Sequence, residues 1–310
     1  MDRLVLGSRG SALALWQARH VAGLLRAAHP GLVIEEVIIK TEGDRMTEQA
    51  LSVLGGKGVF VKEIEDALLE ERIDLAVHSM KDMPTEVPEG LGFAAVPRRH
   101  DPRDALLTRD GGELAALPEG ATVATGSPRR RAQLLAVRKD LRMTEVRGNV
   151  DTRVRKLKEG QFAAMVLALA GIERLGIEVP RVALPVEVCV PAVGQGALAI
   201  ETRMGDARTR ALVGVLDHPE TRRAVTAERA FLAHLGGGCL APAAAHARVR
   251  GGDLVLEGVV ADPDGSRMLR DREAGPAEEG RSLGERLAAR LLAAGGDAIL
   301  REVREAAGPL

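Results

Sequence analysis

The stretch ATVATGSPRRR, residues 121–131, decides the fold class. Its first part, ATVATGS (121–127), reads as a strand. Ser127-Pro128 then opens a helix, with serine as the N-cap and proline in the first turn, where a missing N–H is no loss. The same alternation continues on the C-terminal side. LRMTEVRG (141–148) is a strand, Asn149 caps the next helix, and FAAMVLALAG (162–171) is a buried strand running into a turn. The apolar run VALPVEVCVPAVGQGALAIE (182–201) reads as a return crossing broken by proline and glycine.

On the N-terminal side, LVLGS (4–8) is a strand. Ser11 caps a helix reaching about His29, whose apolar stripe is Leu13, Ala14, Ala18, Val21 and Leu25. Leu32–Lys40 is strand-like, and Val59–Arg72 carries Val61, Ile64 and Leu68 at helical spacing. Ile73–His78 and Gly92–Val96 are further strands, and the proline-containing connector PRRHDPRD (97–104) comes next. Strands alternating with helices predict a mostly parallel sheet covered on both faces. Two such blocks predict an α/β two-lobed fold. Residues 1–97 with 198–216 form the first lobe, residues 103–191 the second, and hinges lie near 97–103 and 191–198. Ligands in this architecture sit at the carboxyl ends of the strands, here between the lobes. From residue 219 the pattern changes to one helix (219–238), three strand-like runs (243–250, 253–261, 266–273) and helices near 276–295 and 297–306. That is a C-terminal α+β domain over 219–310.

The 310 residues are 45% hydrophobic, enough for a sizeable core, and the length favours two or three domains. The start, MDRLVLGSRG, reads as a strand and not as a positively flanked apolar leader, and no apolar run approaches a membrane span. Cys189 and Cys239 stand apart with no CxxC and no metal-ligand spacing, so a cytoplasmic, disulfide-free protein without a metal is expected. The net charge is −1, yet Gly120–Arg174 holds 12 Lys plus Arg against 5 Asp plus Glu. An excess of that kind in a near-neutral chain predicts an anion-binding face, built from guanidinium forks that hold carboxylates bidentately. With 2% aromatic residues and no tyrosine, stacking platforms for nucleic acid are scarce, and none is expected as a partner.

In HSMKDMP (78–84), Asp82 beside Lys81 falls where a strand ends, the place for an acid/base or cation-stabilising carboxylate. A solvated turn aspartate before Pro84 is the plainer reading. Arg129 and Arg130 occupy the first turn of a helix, an end that disfavours cations, so they demand a compensating anion from an acidic partner or a ligand carboxylate. Arg147 and Arg153 could extend the same face. Cys189, within apolar EVCVP, reads as a small buried hydrophobe. Cys239, in the glycine-rich LGGGCLAP (235–242), reads instead as a nucleophile or attachment point. GGKG (55–58) lacks the Ser or Thr of a nucleotide loop and fits a glycine lid better.

Taken in order, SRGSALALWQ (8–17), GGKGVFVKE (55–63), DLAVHSMKDMP (74–84), DPRDA (101–105), the arginine pair 129–130, RGNVDTR (147–153), LALAGIERLG (167–176), PAVGQGA (191–197), TAERAF (226–231) and GGC (237–239) resemble the porphobilinogen deaminase (hydroxymethylbilane synthase) family. The likeness spans nearly the whole chain. It implies two lobes resembling type II periplasmic binding proteins, plus a third domain whose Cys239 carries a dipyrromethane cofactor through a thioether. It further implies a monomeric transferase that condenses four porphobilinogen units head to tail on this primer, losing ammonia each time and releasing hydroxymethylbilane. By resemblance Asp82 is the catalytic carboxylate. Lys81, Thr125, Ser127, Arg129, Arg130 and Arg147 contact the cofactor; Arg9, Ser11, Arg147, Arg153 and Arg174 contact substrate acids; Lys57 and Phe60 belong to a mobile lid. Gly126, Pro128, Gly236 and Leu240 depart from the family's usual residues, which touches cofactor-loop polarity and not the thioether. A non-catalytic anion-binding protein of the same fold is the alternative from another class, and it would need neither Asp82 nor Cys239.

Overall fold

A computed structural model describes residues 2–41, 61–236 and 242–307. Strand β1 (Arg3–Ser8) leads through Ser11 into helix α1 (Ala12–Ala28), where Ser11 Oγ accepts from the Ala14 N–H at 3.3 Å. The expected helix is thus correctly capped, and it stops at His29. Strand β2 (Val33–Ile38) runs parallel to β1, and helix α2 (Lys62–Leu69) precedes β3 (Leu75–Ser79). A single 3-10 turn, Met80–Asp82, ends that segment before β4 (Leu91–Ala95).

The chain then crosses to a second sheet. There β5 (Asp104–Thr108), β6 (Thr122–Ala124), β7 (Arg142–Thr144), β8 (Ala164–Ala168) and β9 (Arg181–Ala183) lie in the order β7-β6-β8-β5-β9. Helices α3 (Pro128–Val137), α4 (Val150–Lys158) and α5 (Leu169–Arg174) cover it. Ser127 Oγ caps α3 by accepting from Arg130 N at 3.4 Å, and Asn149 Oδ1 caps α4 by accepting from Thr152 N at 2.9 Å. The chain returns as β10 (Leu198–Arg203), which inserts between β3 and β4 and is antiparallel to both. The first sheet therefore reads β2-β1-β3-β10-β4.

Helix α6 (Ala207–Gly214) leads to α7 (Pro219–His234), then to β11 (Ala243–Arg250), β12 (Asp253–Ala261) and β13 (Met268–Pro276), an antiparallel three-stranded sheet covered by α8 (Gly280–Leu291) and α9 (Asp297–Ala307). Phe231 and Leu287, both 0% exposed, close this core. Helix α8 lies so close on α7 that a Cβ at Gly284 would stand 2.3 Å from the Ala227 carbonyl, so only glycine fits.

Several expectations are corrected. Strands expected over 121–127 and 141–148 shrink to three residues each, because the residues after each strand are committed to capping the next helix. The run 162–171 does not end in a turn; Leu169 begins α5. The return crossing is two separate strands, β9 and β10, and β5 and β9 lay hidden beside connectors. Each lobe sheet has two parallel and two antiparallel pairings, so the mostly parallel sheet expected is not found, because β10 and β5 run against their neighbours. The helix expected near 276–295 runs from Gly280 to Leu291, and the chain kinks beyond it at Gly295, whose φ is 112°, before α9.

Candidate active site

Asp82 stands exposed on the turn that ends β3, and Arg9 and Ser11 stand where β1 gives way to α1. Because β1 and β3 are parallel neighbours, these carboxyl ends meet, and Arg9, Ser11, Gln17, His78, Ser79 and Asp82 line one cavity. Gln17 Nε2 donates to Ser79 Oγ at 2.7 Å, which ties α1 to the Asp82 turn. From the other end of that turn, Arg229 on α7 donates through Nη2 to the carbonyls of Pro84 (2.6 Å) and Thr85 (3.0 Å) and stacks 5.2 Å from the Phe93 ring.

Lys81 feels charges of the second lobe. Burial pushes its ammonium down to about 8; Asp82 and Asp104 pull the other way, while Arg130 and Arg129 push further down. Thr125 is buried, and its Oγ1 accepts from the Ser127 N–H at 3.2 Å, shaping the turn into α3.

Arg129 and Arg130 are buried where α3 meets β5. Arg129 Nη1 donates to Asp104 Oδ2 (2.7 Å) and to the Val190 carbonyl (2.7 Å). Arg130 Nε donates to Asp104 Oδ1 (2.9 Å), and its Nη1 to the Val166 carbonyl (3.2 Å). The compensating anion demanded by the helix start is Asp104, which is 0% exposed. Asp104 was present in DPRDA without a role; the signal was an acid at the start of an apolar strand. Cys189 packs beside it, with its thiol pushed up to about 12 by burial.

Arg174 reaches the connectors between the lobes. It is buried on α5, donates through Nη2 to the Gly196 carbonyl at 2.6 Å, and lies 5.8 Å from the Trp16 ring centroid. Burial lowers it to about 10. Gly196 itself has φ +85°, and a Cβ there would stand 2.6 Å from the His100 carbonyl, so the two connectors between lobes touch at glycine and are pinned by Arg174. Arg147 remains exposed and donates to Glu145 at 3.0 Å; Arg153 Nε donates to the Gly148 carbonyl at 2.7 Å. Both flank the α4 cap. Cys239, Lys57 and Phe60, with Leu240, lie outside the described residues. Gln17 and Arg229 are further residues that sequence reasoning missed, since only distant packing brings them to the Asp82 turn.

A cavity that holds one guanidinium, from Arg9, and one exposed carboxylate, from Asp82, suits a ligand that has carboxylates and ring N–H groups. Asp82, an exposed carboxylate, and Lys81 beside it have the chemistry to hold the ring N–H groups and an acid side chain of a dipyrrole primer. Among the described residues no His/Cys/Asp/Glu cluster could hold a metal ion.

Fold and site together define a two-lobed α/β protein with a C-terminal α+β domain and a cavity that carries Asp82 and Arg9. The family model for the porphobilinogen deaminase dipyromethane cofactor binding domain matches residues 4–211, and that for the porphobilinogen deaminase C-terminal domain matches 222–293. The chain belongs to the porphobilinogen deaminase family. Porphobilinogen deaminase of Rubrobacter xylanophilus is 52% identical over 97% of this chain and 98% of its own. That of Nitratidesulfovibrio vulgaris is 50% identical over 98% of each, and that of Geobacter sulfurreducens is 49% identical over 98% of this chain and 95% of its own. Among solved structures, the L-cystine solute receptor of Neisseria gonorrhoeae covers 69% of this chain and 85% of its own at a TM-score of 0.40 and 11% identity, too distant to add weight.

Proposed function

We propose that the chain condenses porphobilinogen units stepwise into hydroxymethylbilane, releasing ammonia at each addition, and that it does so as a cytoplasmic monomer without a nucleic-acid or membrane partner. The observation that carries this reading is the cavity that Asp82 shares with Arg9 and Ser11 at the meeting carboxyl ends of β1 and β3. A dipyrromethane group tethered at Cys239 would supply the nucleophilic ring carbon from which the product grows. Arg9 and Ser11 orient the acid side chains of the incoming substrate. Asp82 stabilises the positive charge that develops on the substrate ring when ammonia leaves, because a preorganised carboxylate acts where charge forms. Lys81, Arg147 and Arg153 offset the accumulating carboxylates: like charges ~4 Å apart cost about 4 kcal/mol at an effective dielectric near ~20, so elongation needs cations close by. Arg129, Arg130 and Arg174 act from behind, holding the second lobe and the connectors. The non-catalytic alternative loses its support, because relatives identical at about half of all positions over nearly the full chain are named as deaminases.

Intact-protein mass spectrometry tests the reading. The purified chain carries an added dipyrromethane mass that Cys239→Ala lacks, and Asp82→Ala keeps the added mass while turnover nearly vanishes. Normal turnover in Asp82→Ala would refute the role given to that residue.

A further inference from the structure

On the face of the first sheet that packs against α2, three ionisable side chains close together: His78 of β3, Glu201 of β10 and Glu65 of α2. Glu201 pairs across the strands with Ala76 and Ala199 pairs with His78, so His78 and Glu201 share one face two residues apart. His78 Nε2 lies 3.1 Å from Glu201 Oε2. Exposures are 6% for His78, 0% for Glu201 and 8% for Glu65. Oε1 of Glu201 and Oε1 of Glu65 are buried with no hydrogen-bond partner. Beyond the three, Asp66 faces Glu65 from its own helix, and Arg229 faces Glu201 from α7.

Two carboxylates and one imidazole this dry cannot all stand ionised without a heavy desolvation cost. The cluster therefore retains a proton that it can hand over. Burial raises Glu65 to about 7, Glu201 and Asp66 add to the rise, and His78 opposes it. Of the three, His78 alone lines the cavity that holds Asp82. The condensation chemistry needs such a group. At each addition a C–N bond breaks and ammonia departs with its electron pair; a C–C bond then forms, and the attacking ring carbon must lose its hydrogen. Asp82, required as an anion to stabilise the cation, is poorly placed to hold that hydrogen at the same time.

We propose that His78, backed by Glu201 and Glu65, is the proton store of the condensation cavity. The ring C–H breaks, its electron pair returns to the ring, and the proton passes to the imidazole, where Glu201 matches the charge. It then passes to the released ammonia, which leaves as ammonium, and the cluster is reset. This inference rests on the condensation reading of the cavity.

The test uses the cofactor-loaded protein with porphobilinogen, monitoring ammonia release by rapid quench across pH. In His78→Gln, kcat is expected to fall about 100-fold with KM little changed, and the shape of the kcat–pH profile is expected to change, because the one cluster member that lines the cavity is gone. Glu65→Gln is expected to lower kcat as well and to shift the limb of the kcat profile near pH 7. A His78→Gln profile parallel to the wild type would overturn the proposal. Infrared difference spectra decide independently, even if His78→Gln does not fold. The wild type is expected to show a protonated-carboxyl signal that fades as pH rises through about 7 and is missing in Glu65→Gln, and its absence from the wild type would overturn the proposal. Wild-type protein that releases no ammonia would instead sink the condensation reading, while the infrared signal would stand.

Discussion

Asp104 Oδ2 accepts a hydrogen bond from Arg129 Nη1 at 2.7 Å inside the second lobe, with the carboxylate 0% exposed. Burial by itself would raise Asp104, but the guanidinium groups of Arg129 and Arg130 outweigh it and hold the carboxyl far below the usual range. Removing the acid strands two buried cations. Asp104→Ala is expected to lose about 3–5 kcal/mol in urea unfolding, with Asp104→Asn losing less because it keeps the shape and part of the hydrogen bonding. The depressed value sets the sign of the pH dependence. The stabilisation is present above the ordinary aspartate range and is lost as pH falls through the folded one, so the wild type weakens in acid and Asp104→Asn weakens less steeply.

Arg229 reaches from α7 to the carbonyls just after Asp82, and α7 leads on to the segment bearing Cys239. Loss of this grip lets the Asp82 turn shift. Arg229→Ala is expected to lower kcat about tenfold with KM little changed, since small misplacements of a catalytic group are costly. A lysine cannot serve several carbonyls from one ammonium in the same geometry, so Arg229→Lys recovers only part of the rate. Steady-state kinetics on folded, cofactor-loaded variants checks both.

Lys81, lowered by burial to about 8, sets an alkaline limit. As pH rises through about 8 its charge disappears, and KM for the carboxylated substrate is expected to climb. Lys81→Arg is expected to keep KM flat to higher pH, because a guanidinium does not deprotonate there. Stability moves the other way. Between about 8 and the ordinary lysine value the unfolded chain binds a proton that the folded one has released, so Lys81 makes folding more favourable as pH rises in that window. KM measured against pH, beside melts at the same pH, separates the two effects.

Glu228 on α7 binds Arg99 of one connector at 2.6 Å, the Gly194 N–H of the other at 2.7 Å, and the Ala247 N–H of β11 at 2.8 Å. Burial would raise it, yet Arg99 and His246 bring it down to about 2. One carboxylate thus joins both inter-lobe connectors to the C-terminal domain. Glu228→Gln is expected to lose about 3 kcal/mol and to expose the connectors to limited proteolysis before the lobes themselves are cut.

Much of the fold was legible in local chemistry. Ser11, Ser127 and Asn149 each cap the helix expected of them, since a cap depends on a side chain and an N–H three residues away. The three strands after residue 242 and the Asp82 turn were equally readable. Strands β5 and β9 were not, because their apolar runs are short and lie against proline-containing connectors, and only pairing with β8 and with each other makes them strands. Of the candidate site residues, Asp82, Arg9 and Ser11 meet at one cavity, whereas Arg129, Arg130 and Arg174 turn inward.

The sequence by itself determined the alternation of strand and helix, the helix starts, the change of pattern after residue 219 and the family. All of these rest on neighbours a few residues apart or on motifs in fixed order. Only the tertiary structure decided which cations face the cleft and which are held within. A guanidinium takes its role from the acid or carbonyl it reaches, and for Arg129 and Arg130 that acid is Asp104, on a different strand. The same holds for His78, Glu201 and Glu65: three ordinary letters become a proton-holding cluster only when β10 returns between β3 and β4 and α2 closes over them.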